Sequence, residues 1–256
     1  MKRYSALAVL LGAALLSSCD KNAVQDITGP LARSRVKFFN YGVNAPGVNF
    51  YANGTKMTAV PSVTGTESTA GVAYGGVGSA GYYSAIAPGQ YTLSGKIAAA
   101  TDKDLAISTV PATIADGKFY SFYQSGVYNA ATKSVEGFVV EDPIPAQIDY
   151  SVAYVRFVNA ISNSTAMTLY AKNTSTRTEV AVGAAVPYKS AGAFTSLPTG
   201  VYDVSARVTG SATDLIAVSA VSFSGGRVYS VNARGDLTVQ SATDATRPIL
   251  SNSLNR

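Results

Sequence analysis

Val36-Lys37-Phe38-Phe39-Asn40 occurs again, little changed, as Val155-Arg156-Phe157-Val158-Asn159, and that recurrence decides the architecture. The two stretches lie 119 positions apart (155 − 36), and Phe50-Tyr51-Ala52 returns as Leu169-Tyr170-Ala171 at the same offset. Pro88-Gly89-Gln90-Tyr91-Thr92-Leu93 answers to Thr199-Gly200-Val201-Tyr202-Asp203-Val204 at an offset of 111, and Asp104-Leu105 to Asp214-Leu215 at 110. Gly117-Lys118-Phe119-Tyr120-Ser121 matches Gly226-Arg227-Val228-Tyr229-Ser230 at 109. Order is kept throughout, so the sequence reads as a duplication. The falling offset locates an extra segment in the first unit, residues 54–80.

The repeated stretches have the period of strands. In Arg35-Val36-Lys37-Phe38, Val36 and Phe38 fall on one face while Arg35 and Lys37 fall on the other, the pattern of a half-buried strand. Tyr202, Val204, Ala206 and Val208 likewise share a face opposite Asp203, Ser205 and Arg207. Charged residues make up only 14% of the chain, and Gly, Ser, Thr, Ala, Val and Tyr dominate, which suits short strands joined by turns. Asn53-Gly54 between strand-like residues suits a type I′ hairpin turn. The fold class is therefore all-β. Each unit has about 90–105 residues, the size of a seven-stranded β-sandwich. The expected plan is repeat 1 over 33–140 with the insertion 54–80, a linker over 141–150 stiffened by Pro143 and Pro145, and repeat 2 over 151–240. The tail 241–256 admits two readings: a last strand docking Ile249 and Leu250, or a disordered end.

Asp116, Lys118, Tyr120 and Phe122 have the spacing of a tyrosine corner, in which a Tyr hydroxyl bonds back to nearby backbone, and Tyr229 holds the matching place in the second unit. Both tyrosines are read as structural.

The N-terminus carries an address. Lys2 and Arg3, an apolar stretch from Ala6 to Leu16 and small residues before Cys19 compose a secretory signal, too short for a transmembrane helix. Leu16-Ser17-Ser18-Cys19 resembles the lipobox of bacterial lipoproteins, which is cut before a cysteine that becomes diacylated. On that resemblance residues 1–18 are a signal peptide, Cys19 is the lipidation site, residues 19–32 are a tether, and the protein is held in a bacterial cell envelope, at the outer membrane, on its periplasmic face or at the cell surface. Cys19 is the sole cysteine, so lipidation leaves no thiol for a disulfide or a soft metal. Loss of residues 1–18 lowers the formal charge from +5 to +3 (5 − 2), too small and scattered an excess to argue for nucleic acid.

Arg35-Val36-Lys37-Phe38-Phe39-Asn40, then Asn44-Ala45-Pro46-Gly47-Val48-Asn49-Phe50-Tyr51, then Asn53-Gly54-Thr55, resemble the family known as domain of unknown function 4397. The string is closest in the first unit; in the second, Ile161-Ser162-Asn163-Ser164-Thr165 lacks the proline, and Asn49 stands where many members carry aspartate. The resemblance implies secreted or lipid-anchored bacterial proteins, tandem copies, and an immunoglobulin-like or transthyretin-like sandwich in each. It implies no activity. The composition and the lipobox together look most like those of a Bacteroidota outer-membrane lipoprotein.

Chemistry narrows by elimination. Histidine is absent, so the commonest general base and metal ligand are missing, and none of the 15 carboxylates forms a recognisable acid/base pair. Asp102 and Asp104, with Asp214 as the counterpart of Asp104, read as solvated turns rather than a calcium loop. Gly76-Val77-Gly78-Ser79-Ala80-Gly81 fits a dinucleotide fingerprint by spacing but leads into strand-like residues, so it reads as a flexible loop. The insertion and the residues after it carry Tyr74, Tyr82 and Tyr83, candidate ligand contacts because tyrosines offer rigid amphipathic area at low entropic cost. The expectation is a non-enzymatic envelope protein without metal or cofactor, serving adhesion, structure or protein interaction. The alternative is a carbohydrate-binding accessory lipoprotein.

Overall fold

The computed structural model describes residues 32–60 and 67–256; Cys19, the signal segment 1–18 and nearly all of the tether lie outside them. Ala32–Arg256 form one compact unit. It is all-β. The first half contains β1 (Ser34–Val43), β2 (Val48–Ala52), β3 (Thr55–Lys56), β4 (Ser84–Ile86), β5 (Gly89–Ile97), β6 (Ala106–Ile114), β7 (Phe119–Asn129) and β8 (Ser134–Glu141). The second contains β9 (Val152–Asn159), β10 (Met167–Asn173), β11 (Glu179–Val186), β12 (Ser190–Ala191), β13 (Thr195–Pro198), β14 (Gly200–Val208), β15 (Ile216–Phe223), β16 (Val228–Arg234) and β17 (Ile249–Leu254).

These strands form four sheets, ordered β3-β2-β5-β6 and β4-β1-β7-β8 in the first half, β12-β9-β16-β17 and β11-β10-β14-β15 in the second, with β13 also paired to β9. The pairing plan is the same in both halves. Each has a parallel central pair, β1 with β7 and β9 with β16, and antiparallel ladders elsewhere. Between its two sheets the first half encloses a core including Val36, Phe38, Phe50, Leu93 and Phe122; the second encloses Val155, Phe157, Leu169, Val204, Phe223 and Val231. In the outer sheet β14 keeps the expected alternation in part: Tyr202, Val204 and Ala206 are buried and Asp203 and Arg207 partly exposed, but Ser205, read on the open face, is buried as well.

The inner sheets do not alternate, and here the half-buried reading of β1 is overturned. Lys37 is 1% exposed and Phe39 equally hidden, because the face read as solvent-facing is covered by the second half. A third apolar cluster lies between the halves: Phe39, Tyr41, Tyr123 and Phe138 from one side, Val158 and Ala160 from the other. Tyr123 is stacked between Phe39 and Phe138, with ring centroids 4.4 and 4.9 Å away. Each such pair contributes about 0.5–1.5 kcal/mol beyond its buried area. The layers therefore run outer, inner, inner, outer.

Local chemistry sets the ends of the strands. Asn53 and Gly54 both have positive φ, 46° and 83°, and turn β2 into β3 with Ala52 opposite Thr55, as a type I′ turn requires. Asn40 and Asn159, which end the repeated stretches, are fully buried and hold the loops that follow: Asn40 Nδ2 donates to Val72 O at 2.8 Å, and Asn159 Nδ2 to Ser164 Oγ at 2.9 Å. The stretch Gly76–Gly81, read as a flexible loop, is instead pinned to the edge of β1. Gly75 N donates to Asn40 O at 2.7 Å, Asn40 N donates to Gly76 O at 3.0 Å, and Val77 bridges Phe39. In the tail, β17 takes the strand reading: it pairs with β16, and Leu250 is buried in the second core.

The shared cluster predicts that both halves unfold together. Urea denaturation followed by tyrosine fluorescence and circular dichroism should give one coincident transition, and Phe39→Ala should lower stability by about 3–5 kcal/mol. Two separated transitions, with only the first moved by Phe39→Ala, would show that the cluster does not couple the halves.

Candidate functional site

The polar centre of the molecule lies where the inner sheets meet. Among the described residues the buried charged side chains are Lys37, Asp142 and Arg156, all at most 1% exposed. Asp142 directly follows β8, in the stretch read as the start of a linker, and its carboxylate ties that stretch to both halves. One oxygen accepts from Tyr83 Oη at 2.6 Å and Ser121 Oγ at 2.7 Å, and the other is paired with the Arg156 guanidinium. Arg156 donates further to Ser230 Oγ at 2.8 Å and Glu141 O at 2.9 Å, and its guanidinium lies over the Phe194 ring. Lys37, the counterpart of Arg156 by the 119-residue offset, donates to Leu254 O at 2.6 Å and sits 4.4 Å from the Tyr83 ring centroid.

Burial dominates the ionisation of this centre. Desolvation lowers the Lys37 ammonium to about 8, opposed by the Asp142 carboxylate and reinforced by Arg156. Desolvation also raises the Tyr83 hydroxyl well above its usual range, with Asp142 adding to the shift, and raises the fully buried Tyr41 and Tyr123. Tyr123 Oη donates to Asn232 Oδ1 at 3.0 Å, a further bond between the halves. At the margin, Tyr188 Oη donates to Glu136 Oε2 at 2.7 Å and lies 3.0 Å from Ser125 Oγ, while Lys189 pairs with Glu136.

The three candidate contact tyrosines do not converge. Tyr83 is held by Asp142 and by an edge-on contact with Phe119. Tyr74 faces Arg234 of the second half, 5.2 Å from its ring, and desolvation raises its hydroxyl. Only Tyr82 presents its ring to solvent, being 75% exposed. Tyr82 and Tyr83 border a groove of about 570 Å³ whose other wall is the 251–256 segment, with Lys37 and Tyr41 also lining it. A neighbouring groove of about 600 Å³ is lined by Phe119, Lys118, Glu141, Asp142 and Pro143 to Ala146.

Tyr120 and Tyr229 make equivalent contacts. Ala115 N donates to Tyr120 Oη at 3.1 Å and Ser224 N to Tyr229 Oη at 3.2 Å, each bond reaching back five residues across the turn that enters the strand. Gly117 and Gly226 occupy those turns with φ of 70° and 73°, which favours glycine. Asp102 is paired with Lys133, Asp104 accepts from Tyr51, and Asp214 is paired with Arg207. No group of three His, Cys, Asp or Glu side chains placed to hold a metal occurs among the described residues.

Residues 153–253 match the family described as Domain of unknown function (DUF4397). The match therefore falls on the second half, where the turn lacks the proline, and it runs through β17 beyond the boundary expected at residue 240. No curated protein matches the chain.

Lys37, Asp142 and Arg156 were not singled out from sequence as a site. The available signal was Phe39 and Tyr41 on the same face as Lys37: a strand that stays apolar on its charged face has a second layer to meet.

The ionisation pattern fixes a pH profile. Folded Lys37 loses its proton near pH 8, whereas the unfolded chain keeps it to about 10.5, so the unfolded state binds more protons in that window and stability rises with pH. Above pH 10.0 the ordinary tyrosine value makes the unfolded chain lose protons that Tyr41, Tyr83 and Tyr123 retain when folded, and stability falls. Urea titrations at about pH 7.5, 9.5 and 11 should show a maximum near the middle value, and Lys37→Met should flatten the rise but not the fall. Asp142→Asn, which strands two buried cations, should cost about 3–5 kcal/mol at neutral pH. An unchanged profile in Lys37→Met would assign the rise to other groups.

Proposed function

We propose that this chain is a non-enzymatic, lipid-anchored protein of the bacterial cell envelope, in which two tandem immunoglobulin-like or transthyretin-like sandwiches form one rigid body serving adhesion, envelope structure or protein interaction. The observation that carries this reading is the use to which the buried polar groups are put. Asp142, Arg156, Tyr83, Ser121 and Ser230 satisfy one another and join the halves, so the groups best placed for chemistry act as fasteners. The absence of histidine from the sequence supports the same reading. Anchoring rests on the lipobox-like Leu16-Ser17-Ser18-Cys19, which lies outside the described residues. A diacylated cysteine supplies the two chains that stable attachment needs.

A second reading, capture of carbohydrate by an accessory lipoprotein, is favoured by Tyr82, whose exposed ring borders the groove against the 251–256 segment. Tyrosine rings exposed at grooves of this size offer an apolar face to a sugar ring.

Anchoring is tested by metabolic labelling with palmitate and by fractionation. The parent chain should incorporate label and sediment with membranes, and Cys19→Ala should lose both while its circular dichroism stays that of the parent. Protease shaving of intact cells then separates cell surface from periplasm. Membrane attachment and labelling that persist in Cys19→Ala would overturn the anchor.

A further inference from the structure

The two grooves meet at Asn255 and Arg256, which line both, and of the two only the groove beside Tyr82 has no aspartate or glutamate in its lining. The groove beside Tyr82 is lined by Lys37, Arg227 and Arg256 and by no aspartate or glutamate. Arg227 and Arg256 are exposed, and neither forms an ion pair among the described residues. Behind them the buried charges do not balance, since Lys37 and Arg156 face the single carboxylate of Asp142, and Asp142 is already occupied by Arg156, Tyr83 and Ser121. Lys37 is left with a carbonyl and a ring. Asn255 adds an independent sign: it is 9% exposed and its amide nitrogen has no hydrogen-bond partner among the described residues. A buried donor left unpaired is costly, and a hydrogen-bond acceptor brought to it relieves that cost.

We propose that this groove binds an acidic saccharide, a sugar bearing a carboxylate. The donors set the charge of the ligand: Asn255, Lys37 and the two arginines line one groove, and no aspartate or glutamate lines it with them. Its size and body follow from the rest of the lining. A volume of about 570 Å³ exceeds what a small inorganic anion fills, Tyr82 offers a ring face to a pyranose, and Asn252 and Ser253 bring polar groups for its hydroxyls. The ligand carboxylate supplies the countercharge that Lys37 lacks.

The proposal rests on the capture reading above, and the experiment separates the two. Isothermal titration of the full chain in mild detergent uses trigalacturonate and, as a neutral match, its methyl ester. Trigalacturonate should bind, the ester should bind at least about tenfold more weakly, and added salt should weaken the acid alone. The exposed double variant Arg227→Ala/Arg256→Ala should weaken the acid about tenfold or more and leave the ester unchanged, whereas Tyr82→Ala should weaken both. Equal binding of acid and ester retains capture and overturns the acidic class. Binding of neither at millimolar concentration overturns both.

Discussion

One buried carboxylate holds the assembly together. Asp142 meets Arg156 of the second half and Tyr83 and Ser121 of the first, so a single side chain closes the joint from both sides. Two cations withdrawn from water at the same joint would be prohibitive without it, since desolvation costs several kcal/mol per ion even after relaxation. The apolar cluster around Phe39, Tyr123 and Phe138 provides area, but area is not directional. The ion pair and the Tyr123–Asn232 bond fix which strand faces which. Pro143 and Pro145, which the sequence suggests as parts of a spacer, follow an anchor point instead, so the chain between the halves begins already tied down.

The corresponding positions of the two halves explain how such a joint forms without repelling itself. Lys37 corresponds to Arg156, Phe39 to Val158 and Tyr41 to Ala160 by one offset; Ser121 corresponds to Ser230 and Tyr123 to Asn232 by another. Facing surfaces with the same residues would set cation against cation and large ring against large ring. The first half instead keeps the bulky aromatics, and the second offers Val158, Ala160, Ser230 and Asn232, small or polar groups into which those rings and the Tyr123 hydroxyl fit. The positive charge remains at both positions, and Asp142, whose place after β17 in the second half is taken by the uncharged Asn255, neutralises one of them.

Legibility followed what each residue interacts with. All-β character, the Asn53-Gly54 turn and the core face of Tyr202, Val204 and Ala206 in the outer sheet could be read because they are set by neighbours in sequence or by a single core. The same rule of alternation misplaces Lys37, because it assumes that a strand has one buried face, and the second layer is contributed by residues more than a hundred positions away. The candidate tyrosines are parted from one another for the same reason. Tyr74 and Tyr83 read as ligand contacts for the rigid amphipathic area of their rings, yet Arg234 and Asp142 lie against them, and nothing local to residues 74–83 announces those partners.

The joint also shapes the groove that remains open. Because Asp142 is spent on Arg156, Tyr83 and Ser121, Lys37 stands at the edge of the joint with a carbonyl and an aromatic face, groups that ease an ammonium without neutralising it. Tyr83 then serves both sides: its hydroxyl completes Asp142 and its ring shields Lys37, while the next residue toward the N-terminus, Tyr82, points away into solvent. In a segment of extended backbone, successive side chains fall on opposite sides. That alternation alone separates a tyrosine that fastens from a tyrosine that stays exposed. The insertion, pinned to β1 through Asn40 and Phe39, fixes where the pair sits, so the exposed ring is presented on a rigid edge, as a contact residue requires if it is to bind without first being ordered.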